Sequence, residues 1–353
     1  MWMNKRNGAV IGLRPGLILL LLLITLYSCR EKKESRVVEP AFYYWKSVFK
    51  LSGFEKQRLD SLQVKTIYLK FFDVDWNASS RRASPVAQLL VTRQEVLNQY
   101  QVIPTVFITN SCLEKTDLPM MAQLAGNIHK LIMGTCNANN IKLPTEIQID
   151  CDWTVSTRDK YFLLLRSFKE LSNTNLSVTI RLHQVKYLAK SGVPPADRGL
   201  LMCYNMGNLK NPATVNSIIE TAELKKYIGN LSAYPLPLDV ALPLFDWKVL
   251  FRNNIYSGLI QDIPSSMFLP SFSQLHNGHI KILKDTLLSG YDLKKGDELR
   301  IEDAHLPEII SASKTINQHL QNTHLRVSLY HLDSLTLNKF TTHELEGIYS
   351  IFR

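Results

Sequence analysis

The chain has 353 residues, of which 45% are hydrophobic, and its 41 Lys and Arg residues outnumber 31 Asp and Glu residues to give a formal net charge of +10. This size and apolar content suffice for one large domain, and no internal repeat, low-complexity segment or Pro/Gly/Ser-rich linker divides the chain. The cations are not gathered into long runs, whereas nucleic-acid binding needs a concentrated basic face, so the composition argues against a nucleic-acid partner.

The start of the chain has the pattern of an export signal. Lys5, Arg6 and Arg14 form a positive region, and residues 17–26 form an apolar run that is too short to span a bilayer comfortably. A positive region followed by a short apolar run is typical of a signal peptide that is removed on export.

The apolar run ends in Leu26-Tyr27-Ser28-Cys29, which resembles the bacterial lipobox, where the cysteine receives the lipid. We therefore expect a lipoprotein signal peptide over residues 1–28, lipidation at Cys29 and a solvated tether over residues 29–39. Since several acyl chains on one cysteine anchor a protein stably, the mature protein would be exported and held at the outer membrane or the periplasmic face of the bacterial cell envelope. The alternative is an ordinary signal peptide with a chance cysteine.

One domain is predicted from residue 40 to residue 353, because the chain turns aromatic after Pro40. Runs rich in branched and aromatic residues recur along it and are typical of strands. They span residues 64–72, 102–108, 146–152, 176–183, 199–204, 238–245 and 325–331, with an ambiguous further run at either 256–263 or 298–301.

Stretches with helical spacing lie between these runs. They span residues 117–133, 161–171, 214–228 and 307–320, and Ser156 to Asp159 fits a capping box before the second of them. Alternating strands and helices predict parallel strands with crossover helices, and about eight such units predict a (β/α)8 TIM barrel. An open doubly wound sheet is the alternative, but no Gly-rich nucleotide loop follows a first strand.

The cysteines predict neither a metal site nor a disulfide framework. Their spacing matches no zinc pattern, and Cys151 and Cys203 lie inside strand-like runs, as core thiols do. If the protein is exported, a disulfide could form, and Cys112 with Cys136 is the one pairing to test.

Polar and aromatic residues gather at the carboxyl ends of the predicted strands, where TIM barrels place their active sites. They are Asp73, Asp75, Trp76, Asn110, Asp150, Asp152, Trp153, Arg181, His183, Gln184, Tyr204, Asn205, Asp246, Trp247, Glu302 and His331. Side chains alternate along a strand, so Asp150 and Asp152 face the same way. Two adjacent carboxylates are costly unless cations, hydrogen bonds or substrate hold them, and Arg181 is a candidate cation.

Three tryptophans each follow an acidic residue at a strand end, namely Trp76, Trp153 and Trp247. Indole rings stack on sugar rings while carboxylates and amides bind hydroxyls, which favours a carbohydrate cleft. For each tryptophan the alternative is closure of the core, and for the aspartates it is helix capping or pairing with an arginine. A metal site built on His183 and His331 is a weaker interpretation, since no H-x-H or H-E-x-x-H spacing supports it.

Two strand ends resemble those of chitinase-like glycoside hydrolases of family 18. Asp150-Cys151-Asp152-Trp153-Thr154 is similar to their D-x-D-x-E motif, and Leu201-Met202-Cys203-Tyr204-Asn205 to their M-x-Y-D/N motif. Over a longer span the chain resembles a family of uncharacterised bacterial lipoproteins, whose motifs stand here at Phe72–Trp76, Ile149–Thr157, Thr179–Gln184 and Pro235–Pro243. The first resemblance implies a glycoside-hydrolase-like barrel, and the second implies no activity.

Thr154 occupies the position of the glutamate that serves family 18 as general acid, and a threonine hydroxyl cannot donate a proton at a useful pKa. If the barrel is catalytic, its acid must come from Asp75, Asp246 or Glu302. Otherwise the barrel binds glycans without cutting them.

The leading interpretation is therefore a lipid-anchored, monomeric envelope protein that cleaves or rearranges a glycosidic bond without a cofactor or metal. Asp150 and Asp152 would act as electrostatic stabiliser and acid/base partner, Asp75 and Glu302 would supply the second carboxylate, and Trp76, Trp153, Tyr204 and Trp247 would line the cleft. The alternatives are a non-catalytic lipoprotein that binds a glycan or a partner, and a purely structural envelope protein.

Overall fold

The computed structural model describes residues 36–92 and 94–353, so the predicted signal peptide over residues 1–28 and Cys29 lie outside the described residues. Eight parallel strands form a closed barrel, because β1 pairs with both β18 and β3. The barrel strands are β1 Val37–Tyr44, β3 Thr66–Asn77, β6 Gln101–Ile108, β7 Glu146–Cys151, β8 Asn175–Arg181, β9 Arg198–Met202, β10 Leu238–Pro243 and β18 His324–Tyr330. The predicted TIM barrel is confirmed.

The first barrel strand differs from the prediction. It begins at Val37, inside the segment 29–39 that was expected to be tether, and so the boundary placed at residue 40 falls within a strand. The run at residues 64–72 is consequently the second barrel strand rather than the first. Neither candidate for the ambiguous further strand belongs to the barrel.

Both of those candidates lie in an inserted segment, residues 246–303, between barrel strands β10 and β18. Its five-stranded antiparallel sheet has its own small apolar core around Leu250, Ile280 and Leu299. The sheet contains β11 Asp246–Arg252, β12 Ile255–Ile260, β13 Ser273–His276, β14 His279–Ile282 and β17 Glu298–Asp303, and β15 Thr286–Leu288 pairs with β16 Tyr291–Leu293 beside it.

Helices follow the barrel strands and cover the outside of the barrel. They are Gly53–Ser61, Gln94–Leu97, Asn110–Lys115, Met121–Ala138, Arg158–Leu171, Leu182–Lys186, Leu188–Ser191, Thr221–Lys225, Leu306–Asn317, Ser334–Leu337 and Thr342–Ser350, with 3-10 turns at Leu118–Met120, Ile228–Ala233 and Ser265–Met267. The short strands β2 Val48–Phe49, β4 Arg82–Val86 and β5 Leu90–Val91 lie in the loops.

Two helix predictions need correction. The expected capping box at Ser156 does not form, because Thr157 is the N-cap of helix Arg158–Leu171 and its side chain makes no capping hydrogen bond. The stretch at residues 214–228 is helical mainly over Thr221–Lys225, and a 3-10 turn begins at Ile228.

Charged side chains fill the amino-terminal end of the barrel. The Arg326 guanidinium donates to the Tyr68 hydroxyl at 2.8 Å and to Glu146 at 3.0 Å, and Arg198 pairs with the buried Asp239 at 2.6 Å. This layer closes that end of the barrel interior, so the open end is the carboxyl end.

Cys112, Cys136, Cys151 and Cys203 are buried free thiols, so the pairing of Cys112 with Cys136 is not formed. Within the described ranges, every helix is too short or too polar to cross a membrane.

Candidate functional site

A cleft of about 640 Å³ lies at the carboxyl end of the barrel. The cleft combines charged, aromatic and amide side chains from barrel strand ends with residues of the inserted segment. Of the residues selected from sequence, the cleft is lined by Asp73, Asp150, Asp152, Arg181, Tyr204, Asn205, Asp246, Trp247 and His331.

Asp150 lies at the base of the cleft on β7 and is 3% exposed. Its carboxylate accepts a hydrogen bond of 2.5 Å from the Thr179 hydroxyl on the neighbouring strand. Burial raises the pKa of Asp150 to about 6, and the negative charges of Asp152 and Asp73 act in the same direction, while Arg181 opposes them. Asp150 therefore carries a proton for part of the time near neutral pH.

Asp152 is held by Arg181 through both of its oxygens. The guanidinium Nε donates to Oδ1 at 2.5 Å and Nη2 donates to Oδ2 at 2.9 Å, which is a bidentate ion pair. The pair is fixed because β7 and β8 are adjacent parallel strands. The predicted arginine-neutralised carboxylate is thus Asp152.

Two further carboxylates of the cleft, those of Asp73 and Asp246, form ion pairs as well. Lys70 donates to Asp73 at 2.8 Å, and its ammonium lies 5.6 Å from the centre of the Trp45 ring. Asp246 contacts Lys339 and lies 3.8 Å from the buried ammonium of Lys248. These pairs neutralise most of the acidic charge that the strand ends carry.

One wall of the cleft is aromatic. Tyr204 stacks on Tyr330 with ring centres 5.3 Å apart, and Phe245 meets both rings edge-on and contacts Trp247 at 5.2 Å. The Tyr204 hydroxyl is buried and lacks a hydrogen-bond partner among the described residues, as does Nδ1 of His331. Both atoms belong to residues that line the cleft.

Asp75, Trp76 and Asn110 do not line the cleft, which corrects the prediction for these three residues. Asp75 accepts hydrogen bonds from the Thr109 hydroxyl at 2.7 Å and from the Trp76 amide at 2.8 Å. The hydrogen bond from Thr109 lowers the pKa of Asp75. Asn110 accepts from the Thr157 hydroxyl at 2.7 Å. These residues brace the extension of β3 and the loop that follows β6.

Glu302 is also outside the cleft and cannot supply a second carboxylate there. It is 1% exposed, and Arg300, Ser217 and Trp247 all donate to it, at 2.6, 2.5 and 2.7 Å. Its role is to hold the cleft residue Trp247 and the inserted sheet in place.

Trp153, Gln184 and His183 likewise lie outside the cleft lining. Trp153 is 2% exposed, stacks on Tyr161 at 5.1 Å and donates its indole N–H to the Ser191 carbonyl at 3.1 Å. Gln184 is buried, and its side-chain oxygen accepts a hydrogen bond of 2.8 Å from the Arg181 backbone N–H, which helps to position that arginine. His183 is exposed by surface area, although partial desolvation of its imidazole by neighbouring atoms lowers its pKa.

Thr154 is exposed and follows the end of β7. The Thr154 amide N–H is not available to a ligand, because it donates to the Thr157 hydroxyl at 2.9 Å. The Thr154 hydroxyl lies 2.8 Å from the Ser156 hydroxyl. Thr154 is thus part of the turn that leads into helix Arg158–Leu171, and a proton donor is missing at this position.

Several cleft residues were missed by the sequence analysis. They are Tyr43, Trp45, Lys46, Lys70, Phe107, Met202, Phe245, Gln261, Asp262, Ile263, Pro264, Tyr330, Leu335, Thr336 and Lys339. The aromatic run around Tyr43 was a usable signal once β1 is counted as a barrel strand. Nothing in the sequence indicated that the loop after β12 reaches the cleft.

A metal centre is not built by the described part of the chain, where no three His, Cys, Asp or Glu side chains converge as ligands.

An eight-stranded parallel barrel with acidic and aromatic residues at its open, carboxyl end is a TIM barrel with a cleft where such barrels place their sites. No family model matches the chain, and no curated protein matches it by sequence. The similar solved structures include chitinases and spore cortex-lytic enzymes.

The spore cortex-lytic enzyme SleL of Bacillus cereus has a TM-score of 0.54 at 12% identity and covers 90% of this chain and 75% of its own. A chitinase of Chromobacterium violaceum has a TM-score of 0.52 at 9% identity, over 90% of this chain and 99% of its own. The Group IV chitinase of Ostrinia furnacalis, in complex with allosamidin, has a TM-score of 0.50 at 12% identity, over 90% and 98%. At these identities the likeness establishes the fold.

Proposed function

We propose that the cleft binds a carbohydrate chain and that the domain does not cut it by the chitinase route. The proposal rests on two changes at the strand end that resembles the D-x-D-x-E motif. Arg181 occupies both oxygens of Asp152, and an exposed threonine stands at position 154, in the turn. The chitinase route needs a proton donor at position 154 and a free carboxylate at position 152, and neither is available here.

The lining of the cleft supports carbohydrate as the ligand class. Stacked rings such as Tyr204 and Tyr330 suit the apolar faces of sugars, and the exposed Asn205 and Gln261 carry amides suited to hydroxyl groups. The volume of about 640 Å³ lies within the range of small-ligand sites. The chitinase of Ostrinia furnacalis, which shares the fold, binds allosamidin.

Substitution of one tryptophan tests the binding proposal. Trp45→Ala removes a half-buried ring that lines the cleft, whereas Trp76→Ala removes a half-buried ring outside it. Titration calorimetry with a panel of envelope and dietary oligosaccharides should show affinity lowered about tenfold by the first change, since one aromatic contact contributes on the order of 1 kcal/mol. The second change should leave affinity within about twofold. Absence of binding to any oligosaccharide, or equal loss in both variants, contradicts the proposal.

Hydrolysis is the second candidate, favoured by the pKa of Asp150, which burial raises to about 6 and which would let it donate a proton. If Asp150 is the acid, product release from the same panel should be abolished by Asp150→Asn and should fall as the pH rises through about 6. The rate should also be lost in Asp152→Asn. Binding without product at every pH supports the binding protein and ends the enzymatic candidate.

We also propose that Cys29 is lipidated and that the protein is held in the cell envelope. The proposal rests on the signal-like leader and on the lipobox-like Leu26–Cys29 segment. Mass spectrometry of the protein isolated from bacterial membranes should find Cys29 acylated at the new amino terminus. Cys29→Ser should release the protein from the membrane fraction, and an unmodified Cys29 in the wild type would refute the anchor.

A further inference from the structure

The described chain begins at the amino-terminal end of the barrel, opposite the cleft. Arg36 is fixed there, because its guanidinium donates to the carbonyls of Asn322 and Leu320 at 2.7 Å each. Seven residue steps lead from Cys29 to Arg36, and seven steps span at most about 25 Å. An acyl chain on Cys29 therefore restricts how far this end of the barrel can lie from a bilayer.

The cleft is a full strand length further away. β1 has eight residues, which corresponds to about 26 Å along the strand, and it leads from this end toward the cleft residue Trp45. A tether attached at Arg36 therefore favours an orientation with the cleft directed away from the bilayer.

The amino-terminal end also has a surface suited to phospholipid. Lys65 and Lys142 are exposed just before β3 and β7, Lys225 is exposed at the end of helix Thr221–Lys225, and no described ion pair includes any of the three. Leu143 and Leu171 are 65% and 49% exposed at the same end. Cations interspersed with exposed apolar side chains match the anionic headgroups and the acyl boundary of a bilayer.

We propose that the amino-terminal end of the barrel rests on an anionic phospholipid surface and that the cleft therefore faces away from the membrane. This orientation rests on the lipid anchor proposed above. It would present the cleft to a glycan in the space beyond the membrane, whereas a lipid-linked sugar in the same bilayer would be out of reach.

Energy transfer to labelled lipid tests the orientation. The lipidated full-length protein is reconstituted in vesicles of phosphatidylcholine with phosphatidylglycerol that carry a headgroup acceptor. A donor dye is attached to Asn173→Cys, exposed in the loop before β8, or to Val215→Cys, exposed in the loop after β9. The four native cysteines within the described residues are buried, so the dye should react with the introduced thiol. Transfer from position 173 should be at least twice that from position 215, and equal or reversed transfer overturns the proposal.

A charge reversal tests the anionic surface. Lys65→Glu combined with Lys142→Glu should reduce transfer from position 173 on vesicles that contain phosphatidylglycerol. Salt at about 0.5 M should also reduce this transfer, because it shortens the Debye length to a few ångströms and screens the attraction. Lys284→Glu with Lys281→Glu places the same charge change on the inserted segment and should leave transfer unchanged. Equal effects of the two double variants overturn the anionic contact.

Mass spectrometry of Cys29 in each preparation separates this proposal from the one on which it rests. An unmodified Cys29 refutes the anchor and removes the basis of the orientation. An acylated Cys29 with equal transfer from positions 173 and 215 refutes the orientation alone, and glycan binding measured on the same preparation reports on the cleft independently.

Discussion

Asp150 combines burial with a position at the base of the cleft, and its electrostatics depend on a few neighbours. Burial and the nearby Asp152 favour its protonated form, while Arg181 and the Thr179 hydroxyl favour the charged form. The balance leaves its pKa at about 6, above the ordinary value of 3.8. The Asp150 carboxyl group therefore changes charge near pH 6.

This shift predicts a pH dependence of stability. Between about pH 4 and pH 6 the folded chain holds the Asp150 proton more tightly than the unfolded chain, so this group lowers the free energy of unfolding as the pH rises through that window. Asp150→Asn removes the penalty while retaining an acceptor for Thr179. The variant should gain roughly 2 kcal/mol relative to wild type between pH 4 and pH 7, measured by urea unfolding.

Asp117→Asn is the matched control, because Asp117 is exposed and its side chain makes no capping hydrogen bond. The change removes a carboxylate that lies in solvent, so Asp117→Asn should not reproduce the gain of Asp150→Asn. A gain for Asp150→Asn that is equally large at pH 4 would contradict a titration of Asp150.

Arg181 provides a second residue-scale prediction. Arg181→Met removes the charge that lowers the pKa of Asp150 and leaves Asp152 unpaired, so the pKa of Asp150 should rise above about 6. Carboxyl-carbon NMR of selectively labelled aspartate would follow this titration. Arg181→Lys keeps the charge and should give a smaller rise. An Asp150 titration that is unchanged in the methionine variant would show that the guanidinium does not act on this carboxylate.

Alternation along a strand explains which residue roles were predictable. Asp150 and Asp152 share the face that reaches the cleft, and Trp153 lies on the opposite face with Cys151, so its burial behind the barrel follows from the same rule. Asp75 has the same parity as Asp73, but β3 continues beyond the cleft into a hairpin with β4. Asp75 lies outside the cleft because of the length of β3 and not because its side chain faces the other way. The ends of a strand are the property that sequence patterns define least well.

At the scale of elements, composition identified strands but not the sheet to which each belongs. Residues 298–301 do form a strand, yet it pairs antiparallel with β11 in the inserted sheet, and its end does not lie at the barrel mouth. Glu302 was consequently assigned to the cleft in error. The strand β1 was missed because Pro40 and Glu39 interrupt its apolar run, and proline within a run argues against a central strand.

The buried pair of Arg300 and Glu302 lies within the inserted segment, and both partners bond to the loop that follows β9. Glu302 accepts from the Ser217 hydroxyl, and Arg300 donates to the Leu209 and Asn211 carbonyls, which predicts the effect of Glu302→Gln. Arg300, 2% exposed, would lose its charged partner, and the hydrogen bond from Trp247 would weaken. We expect a loss of about 3 kcal/mol of stability, because breaking a buried pair strands a charge. Amide hydrogen exchange should increase within residues 246–303, and glycan affinity should fall because Trp247 lines the cleft.

Glu298→Gln is the matched control on the same strand, since Glu298 is exposed. It should change the thermal midpoint by less than about 2 °C. If Glu302→Gln speeds exchange throughout the barrel rather than within the inserted segment, the pair stabilises the whole molecule instead of attaching one element.

At the scale of the whole molecule, the barrel depends on β1 for closure. This strand pairs with β18 on one side and β3 on the other, and Glu39 lies 3.3 Å from Arg326 in the charged layer at the amino-terminal end. Parallel order and strand number were predictable from the alternation of strands and helices. A closed barrel was also predicted, but the strand that closes it was not identified, because Glu39 and Pro40 interrupt the apolar run of β1.

A chain that begins at residue 36 should therefore fold with a thermal midpoint close to that of the full-length protein, whereas one that begins at residue 40 should not. The shorter chain lacks the hydrogen bonds of Arg36 and the three residues Val37, Val38 and Glu39, which leaves part of β18 as an unpaired edge and Arg326 with one less carboxylate. A loss of about 4 kcal/mol would lower the midpoint by about 6 °C. Arg36→Ala in the full-length chain isolates the contribution of the guanidinium, and it should account for less than half of the decrease. If the chain that begins at residue 40 unfolds at the same temperature as the one that begins at residue 36, barrel closure does not depend on the start of β1, and residues 36–39 would belong to the tether after all.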